Sequence, residues 1–250
     1  MNNLLRASLC EVLGTFFLVF VGGAAIINQG FLGAGFGLIG VALAHGLALA
    51  IAVTATMNIS GGQINPAISI GLALIKQQSW QEAGAFIVSQ LVGAALAGLL
   101  LFIAFPIEGG ALVEAGASQA SALAAATPQL RPGLSAVSAI AIETVATFLL
   151  VAAIWGTAVS KSAPPGIAGF GIGLTVTFLI LAVGPQTGAA MNPARHLGTA
   201  IFGGAEVLAQ TWIYWVGPLL GAILGFLAVP HFIAPKIEKG PAPEAPPPPR

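Results

Sequence analysis

The tripeptide Asn-Pro-Ala occurs twice in the chain, as Asn65-Pro66-Ala67 and as Asn192-Pro193-Ala194. Asn is a favoured helix N-cap and Pro is favoured at the first helical position, so a helix start explains one copy alone. Both copies, however, open apolar stretches of eleven residues, 65–75 and 192–202, which are too short to cross a bilayer as helix. Two such segments in corresponding places are typical of half-helices that enter a membrane without crossing it.

Glu11, Glu143 and Arg195 lie well inside apolar stretches, where a charge is costly. Arg195 follows Asn192 by three residues and therefore shares its helical face, so we expect it to line the same site. The alternative is a buried ion pair of Arg195 with Glu143 or Glu206. Glu11 and Glu143 are expected to accept hydrogen bonds from the non-helical backbone before each Asn, whose polar groups need partners in lipid. A proton relay is the alternative for these two carboxylates.

The composition indicates an integral membrane protein. Of 250 residues, only 6% are charged, against about 25% in soluble domains, and 57% are hydrophobic. The mean hydropathy is +0.96. Eight basic and eight acidic residues balance to a net charge of zero without a basic cluster, so nucleic-acid binding is set aside. The single cysteine, Cys10, excludes an intramolecular disulfide and a cysteine metal cluster. No metal, cofactor or catalytic constellation is predicted, so an enzyme is not expected.

The apolar runs predict an all-α fold with six membrane-spanning helices. Glu11-Val-Leu-Gly-Thr-Phe in the first run matches Glu143-Thr-Val-Ala-Thr-Phe in the fourth, and each precedes its Asn by a similar distance, 54 and 49 residues. Because each half has three spans, an odd number, the second half enters the membrane in the orientation opposite to the first. The two half-helices are therefore expected to enter from opposite sides of the membrane and to meet near its middle. The spans are expected at 4–28, 36–57, 81–105, 134–158, 165–184 and 208–234.

This organisation predicts one channel domain over residues 1–234, with repeats at about 4–105 and 134–234 joined by an outer loop, 106–133. The Pro-rich segment 235–250 is expected to be a disordered cytoplasmic tail. Basic residues in short flanks favour the cytoplasmic side, which places both termini inside a multi-pass protein of the cell membrane. The flanking residues used are Arg6, Lys76, Lys161, Lys236, Lys239 and Arg250, against Arg131 outside.

Two half-helix N-termini at one point carry about half a positive charge each, and this repels cations, hydronium included. Neutral solutes cross such a point, so the sequence predicts a passive channel for small uncharged molecules. A coupled secondary transporter shares inverted repeats and broken helices, but it normally needs a charged or titratable site where this chain has Asn65 and Asn192. A membrane-embedded enzyme is a weaker alternative.

With these motifs the chain resembles the aquaporin (major intrinsic protein) family over about residues 4–234. Further similar stretches are Ile59-Ser60-Gly61-Gly62 and Tyr214-Trp215-Val216-Gly217-Pro218. The segment 163–169 is similar to archaeal aquaporins. The resemblance implies a water channel in the lipid bilayer and a homotetramer in which each subunit carries its own pore.

The resemblance also implies a selectivity filter, whose four positions fall at His45, Ile180, Ala189 and Arg195. This set is similar to the filters of plant tonoplast-type aquaporins, which implies permeation of ammonia as well as water. The alternative is a facilitator of glycerol and other small solutes in the same family. For His45, the alternative is a backbone hydrogen bond and a packing role. Gln63 replaces the His that is usual in the family before the first Asn-Pro-Ala.

Overall fold

The fold is given by a computed structural model, which describes residues 3–107 and 116–233. All regular secondary structure within those residues is helical. In chain order the helices are α1 Asn3–Phe31, α2 Gly37–Ser60, α3 Pro66–Leu74, α4 Trp80–Ala104, α5 Gln119–Ala126, α6 Ala136–Ile154, α7 Ala168–Thr187, α8 Pro193–Gly203, α9 Ala205–Leu208 and α10 Thr211–Phe232.

Six segments of the described chain are long and apolar enough to cross a membrane: α1, α2, α4, α6, α7, and α10 with the short α9 before it. This confirms the predicted all-α fold with six spans. The two half-helices are confirmed as well, because α3 has nine residues and α8 has eleven. Helix α6 continues into one π-helical turn, Trp155–Val159.

Both halves follow one order, two long helices, a half-helix and a further long helix, and corresponding pairs pack alike. Helix α1 packs on α4, and α6 packs on α10. Glycine permits the close approach in both places. A Cβ at Gly93 would lie 2.2 Å from the Val12 carbonyl oxygen, and a Cβ at Gly217 would lie 2.7 Å from the Glu143 Cβ.

Helix α5 lies in the segment 106–133, which the sequence predicted only as a loop. Its buried residues Ala122, Leu123 and Ala126 pack with Ile27 of α1 and Leu101 of α4. Eight residues rich in alanine carry too weak an apolar pattern to separate such a helix from a loop. Residues 108–115 of this segment and the predicted tail, 235–250, lie outside the described residues.

Candidate channel and its constriction

The connector between α2 and α3 is held by the carboxylate of Glu11 from α1. Glu11 is fully buried. Its Oε1 accepts from the Ser60 hydroxyl at 2.7 Å and from the Gln63 N–H at 2.9 Å. Its Oε2 accepts from the Ile64 N–H at 2.6 Å and from Gln90 Nε2 at 2.8 Å. One side chain therefore satisfies backbone groups that have no helical partner.

Glu143 of α6 does the same for the connector between α7 and α8. Its Oε1 accepts from the Thr187 hydroxyl at 2.7 Å and from the Ala190 N–H at 3.0 Å. Its Oε2 accepts from the Met191 N–H at 2.7 Å. Glu11 also accepts from the side-chain amide of Gln90 on the neighbouring helix, whereas no side-chain amide of the described residues donates to Glu143.

Each connector turns through left-handed backbone conformations before the half-helix begins. Ile64 has φ 56° and Met191 has φ 50°, values that are strained for a residue with a side chain. The Glu11 and Glu143 bonds hold the N–H groups of these two residues, which stabilises the strained turn.

Asn65 and Asn192 begin the half-helices and also join them. Asn65 Oδ1 accepts from the Ala67 N–H, and Asn192 Oδ1 accepts from the Ala194 and Arg195 N–H groups, so both are N-caps with Pro at the next position. Asn65 Nδ2 donates to the Met191 carbonyl at 2.7 Å. Asn192 Nδ2 donates to the Ile64 carbonyl at 2.8 Å. The N-termini of α3 and α8 therefore meet at one place.

Asn65 and Asn192 line a cavity of about 880 Å³, together with other residues of both halves. A second cavity of about 380 Å³ lies beyond it. His45, Ile180 and Arg195 line both cavities. These three residues therefore lie at a constriction between an inner space and a mouth.

All four predicted filter residues line the larger cavity, three of them lie at this constriction, and two of these are joined by hydrogen bonds. His45 Nε2 lies 3.2 Å from Arg195 Nε and 2.9 Å from Arg195 Nη2. Arginine only donates, so His45 Nε2 is the acceptor, and His45 Nδ1 donates to the Val41 carbonyl at 2.8 Å. Both contacts together require the neutral ring with its proton on Nδ1.

One nitrogen of the Arg195 guanidinium takes no part in the hydrogen bonds to His45. Its Nη1 is buried and has no hydrogen-bond partner among the described residues. Its bonded nitrogens face His45, and both oxygens of Glu143 are occupied by the connector. The structure thus gives no ion pair of Arg195 with Glu143.

The other two predicted filter residues are apolar and buried. Ile180 lies on α7, and Ala189 lies in the second connector at φ 47°, where its N–H donates to the Thr187 hydroxyl at 3.2 Å. Ala189 lines the larger cavity as Arg195 does, and its small side chain takes up little of that space. Among the described residues, no group of His, Cys, Asp or Glu could hold a metal ion.

The family profile for Major intrinsic protein matches residues 1–229. The chain belongs to this family. Family members are channels for water or small solutes in lipid membranes, and the resemblance to aquaporins is confirmed.

Similar proteins come from plants, bacteria and archaea. Aquaporin TIP4-4 of Zea mays is 38% identical over 228 residues, which cover 89% of this chain and 84% of the relative. Aquaporin Z of Rhodopseudomonas palustris is 38% identical over 220 residues, 87% of this chain and 89% of the relative. Aquaporin AqpM of Methanothermobacter thermautotrophicus is 37% identical over 248 residues, 91% of this chain and 97% of the relative.

A solved structure shares the fold of this major intrinsic protein. The aquaglyceroporin from Plasmodium falciparum superimposes with a TM-score of 0.77 at 23% sequence identity. The match covers 90% of this chain and 94% of that chain.

Sequence reasoning missed two features of the lumen. Gly22 lies against the His45 ring, and the Gln63 side chain pairs with Gln78. Both are contacts between separate segments, and no local pattern indicates them. The only sequence signal was the occurrence of glutamine where the family usually has histidine.

Proposed function

We propose that this chain is a passive channel that conducts water and ammonia and excludes protons and other ions. The observation that carries the proposal is the reciprocal pair of hydrogen bonds from Asn65 to the Met191 carbonyl and from Asn192 to the Ile64 carbonyl. These bonds fix two half-helix N-termini at one point of the lumen.

The asparagines act as paired donors. Each amide has two N–H groups, and one of them is used on the opposite connector. The second N–H of Asn65 and of Asn192 is available to a permeant oxygen or nitrogen. A water molecule that accepts from both has its own hydrogens turned away from this point, which interrupts a chain of proton transfer. The two helix dipoles add about half a positive charge each and oppose hydronium and ammonium.

The constriction supplies the second barrier. Arg195 carries a full positive charge, and its Nη1, which is buried and has no hydrogen-bond partner among the described residues, is the group that we propose donates to a neutral permeant. His45 contributes no charge, because its two contacts require the neutral ring. Neutral ammonia accepts from Nη1 as water does, whereas ammonium is repelled. The role of His45 in this proposal is to hold Arg195 at the wall.

We further propose that the end of the bundle containing Arg6, Lys76 and Lys161 faces the cytoplasm. The helix order places these three residues at one end and Arg131 at the other, which agrees with the bias of basic residues toward the cytoplasm. Both termini then lie inside. A homotetramer with one lumen per subunit is proposed from the family, and mass measurement of the detergent-solubilised protein by light scattering tests it.

Flux measurements on purified protein in liposomes test the function. We expect osmotic water permeability and ammonia permeability above those of protein-free liposomes, with no increase in proton conductance. Water flux should follow the osmotic gradient alone and depend weakly on temperature, which distinguishes a channel from a coupled transporter. Glycerol permeability larger than that of water would instead support a glycerol facilitator.

A further inference from the structure

Two glutamine side chains form hydrogen bonds to each other at the end of the lumen away from Arg195. Gln63 lies in the first connector, and Gln78 lies between α3 and α4; both line the larger cavity. Gln63 Nε2 donates to Gln78 Oε1 at 2.7 Å, and Gln78 Nε2 donates to Gln63 Oε1 at 3.2 Å. The two amides therefore form a closed, reciprocal pair.

Gln78 reaches Gln63 because the chain reverses sharply at the end of α3. The Gln77 N–H donates to the Leu72 carbonyl at 2.9 Å, and the Lys76 N–H donates to the Ala73 carbonyl at 3.0 Å. With Lys76 at φ 60°, these bonds form a Schellman motif. The residue two positions after Lys76 is thereby folded back onto α3, where Gln78 Nε2 donates to the Ser69 carbonyl at 2.7 Å.

The two amides differ in their hydrogen bonds to the rest of the protein: the Gln78 amide is bonded to α3, and the Gln63 amide is bonded only to Gln78. Gln78 Oε1 accepts from Gln63, and Gln78 Nε2 donates to Gln63 and to the Ser69 carbonyl of α3, so the Gln78 amide is fixed to α3. The Gln63 side chain donates one hydrogen bond and accepts one, and both are with Gln78. Its remaining N–H is left for the lumen, and Gln78 is the only described partner that holds the Gln63 amide in place.

We propose that Gln78 is a positioning residue of the channel, which holds the Gln63 amide against α3 and so keeps it out of the permeation path. The inference rests on the proposed channel function. Without Gln78, the Gln63 amide has no described partner on the wall and turns toward water in the lumen. It then occupies the path and competes for the hydrogen bonds of the permeant. Removing the Gln63 side chain as well removes this obstruction.

The test compares Gln78→Ala with the double variant Gln63→Ala/Gln78→Ala in proteoliposomes. Gln78→Ala removes both hydrogen bonds that hold the Gln63 amide, and the released amide in the path should lower water permeability about fivefold. In the double variant, water permeability should return to the wild-type value or exceed it. Permeability is measured by stopped-flow light scattering and normalised to reconstituted protein. Gln77→Ala is the matched control, because it removes a neighbouring glutamine side chain for which the described residues provide no hydrogen bond.

The double variant distinguishes positioning from a structural role. If Gln78 only stabilised the turn after α3, the single and double variants would be equally impaired, and this result would overturn the inference. Unchanged permeability in Gln78→Ala would overturn it too. A wild-type protein that conducts neither water nor ammonia would contradict the proposed function itself, and the inference with it. Thermal unfolding of each variant in detergent shows whether a low permeability reflects a loss of folded protein.

Discussion

Gly22 of α1 lies directly against the ring of His45, at the atom that binds Arg195. A Cβ built on Gly22 would be 2.2 Å from His45 Nε2 and 2.4 Å from His45 Cδ2. These distances are far below van der Waals contact, so only glycine leaves the ring where it is. His45 can therefore bind Arg195 at the constriction only because residue 22 of α1 has no side chain.

Gly22→Ala should therefore disturb the constriction. The added methyl group pushes the His45 ring toward the lumen and lengthens its hydrogen bonds to Arg195. We expect water permeability to fall about fivefold if the displacement raises the barrier by about 1 kcal/mol, and overpacking of about 1–3 kcal/mol should lower the unfolding temperature. Gly30→Ala in the same helix is the control, because a Cβ there meets nothing within 4 Å. Equal permeability in the two variants would show that the ring adapts without cost.

His45→Phe should lower ammonia flux more than water flux. Phenylalanine offers no acceptor, so Arg195 Nε and Nη2 lose the partner they have in the wild type. The guanidinium is then free to move into the space beside Ala189 and narrow the path, which hinders the broader ammonia molecule more than water. A loss of about fivefold in ammonia flux corresponds to about 1 kcal/mol. Both fluxes are measured on one proteoliposome preparation, and an equal proportional loss of the two would argue against selectivity set by His45.

Arg195→Val should raise proton conductance while water permeability stays at or above the wild-type value. The variant removes a unit charge, whose repulsion of a cation at about 4 Å is about 4 kcal/mol at an effective dielectric constant of about 20. The Asn65 and Asn192 barrier remains, so we expect a rise of at least about tenfold rather than full loss of exclusion. Proton flux is followed with a pH-sensitive dye inside liposomes. Arg195→Lys keeps the charge and should keep exclusion; a leak as large as in Arg195→Val would contradict a charge-based barrier.

The helices and the half-helices could be predicted because their signals are local. Hydropathy and length define the six spans, and Asn-Pro marks the starts of α3 and α8. Helix α5 could not be predicted, because its contacts with α1 and α4 depend on the assembled fold and not on its own alanine-rich sequence.

The site was predictable in its residue types and less so in its contacts. The resemblance to aquaporins implied that His45 and Arg195 lie at one place, but it did not give their hydrogen bonds, which join residues 150 positions apart. Their geometry depends on the Val41 carbonyl and on the space at Gly22. Side-chain orientation of this kind is decided by packing between helices, which no periodicity in one segment encodes.

Glu11→Gln and Glu143→Gln should destabilise the protein without changing its proton conductance. Each glutamate oxygen accepts from connector donors, and glutamine replaces one of those oxygens with an N–H₂ group that faces an N–H. Each unsatisfied buried donor costs about 1–3 kcal/mol, so the unfolding temperature in detergent should fall. Glu206→Gln, at an exposed position on α9, is the control. A changed proton conductance at unchanged stability would instead support the alternative role of these carboxylates as a proton relay.

Ala189→Cys should make water flux sensitive to mercurials, whereas the wild type should be resistant. Ala189 lines the larger cavity, as Arg195 does, so we expect a mercury atom bound to a thiol there to obstruct the permeation path. The native thiol, Cys10, is half-buried on α1 and does not line either cavity. Substitution is tolerable because position 189 already carries a side chain at φ 47°. Water permeability is measured before and after mercury treatment and after a reducing agent, with Cys10→Ser as the background. An Ala189→Cys protein whose introduced thiol is labelled stoichiometrically, yet whose water flux is unchanged, would show that position 189 does not face the permeation path.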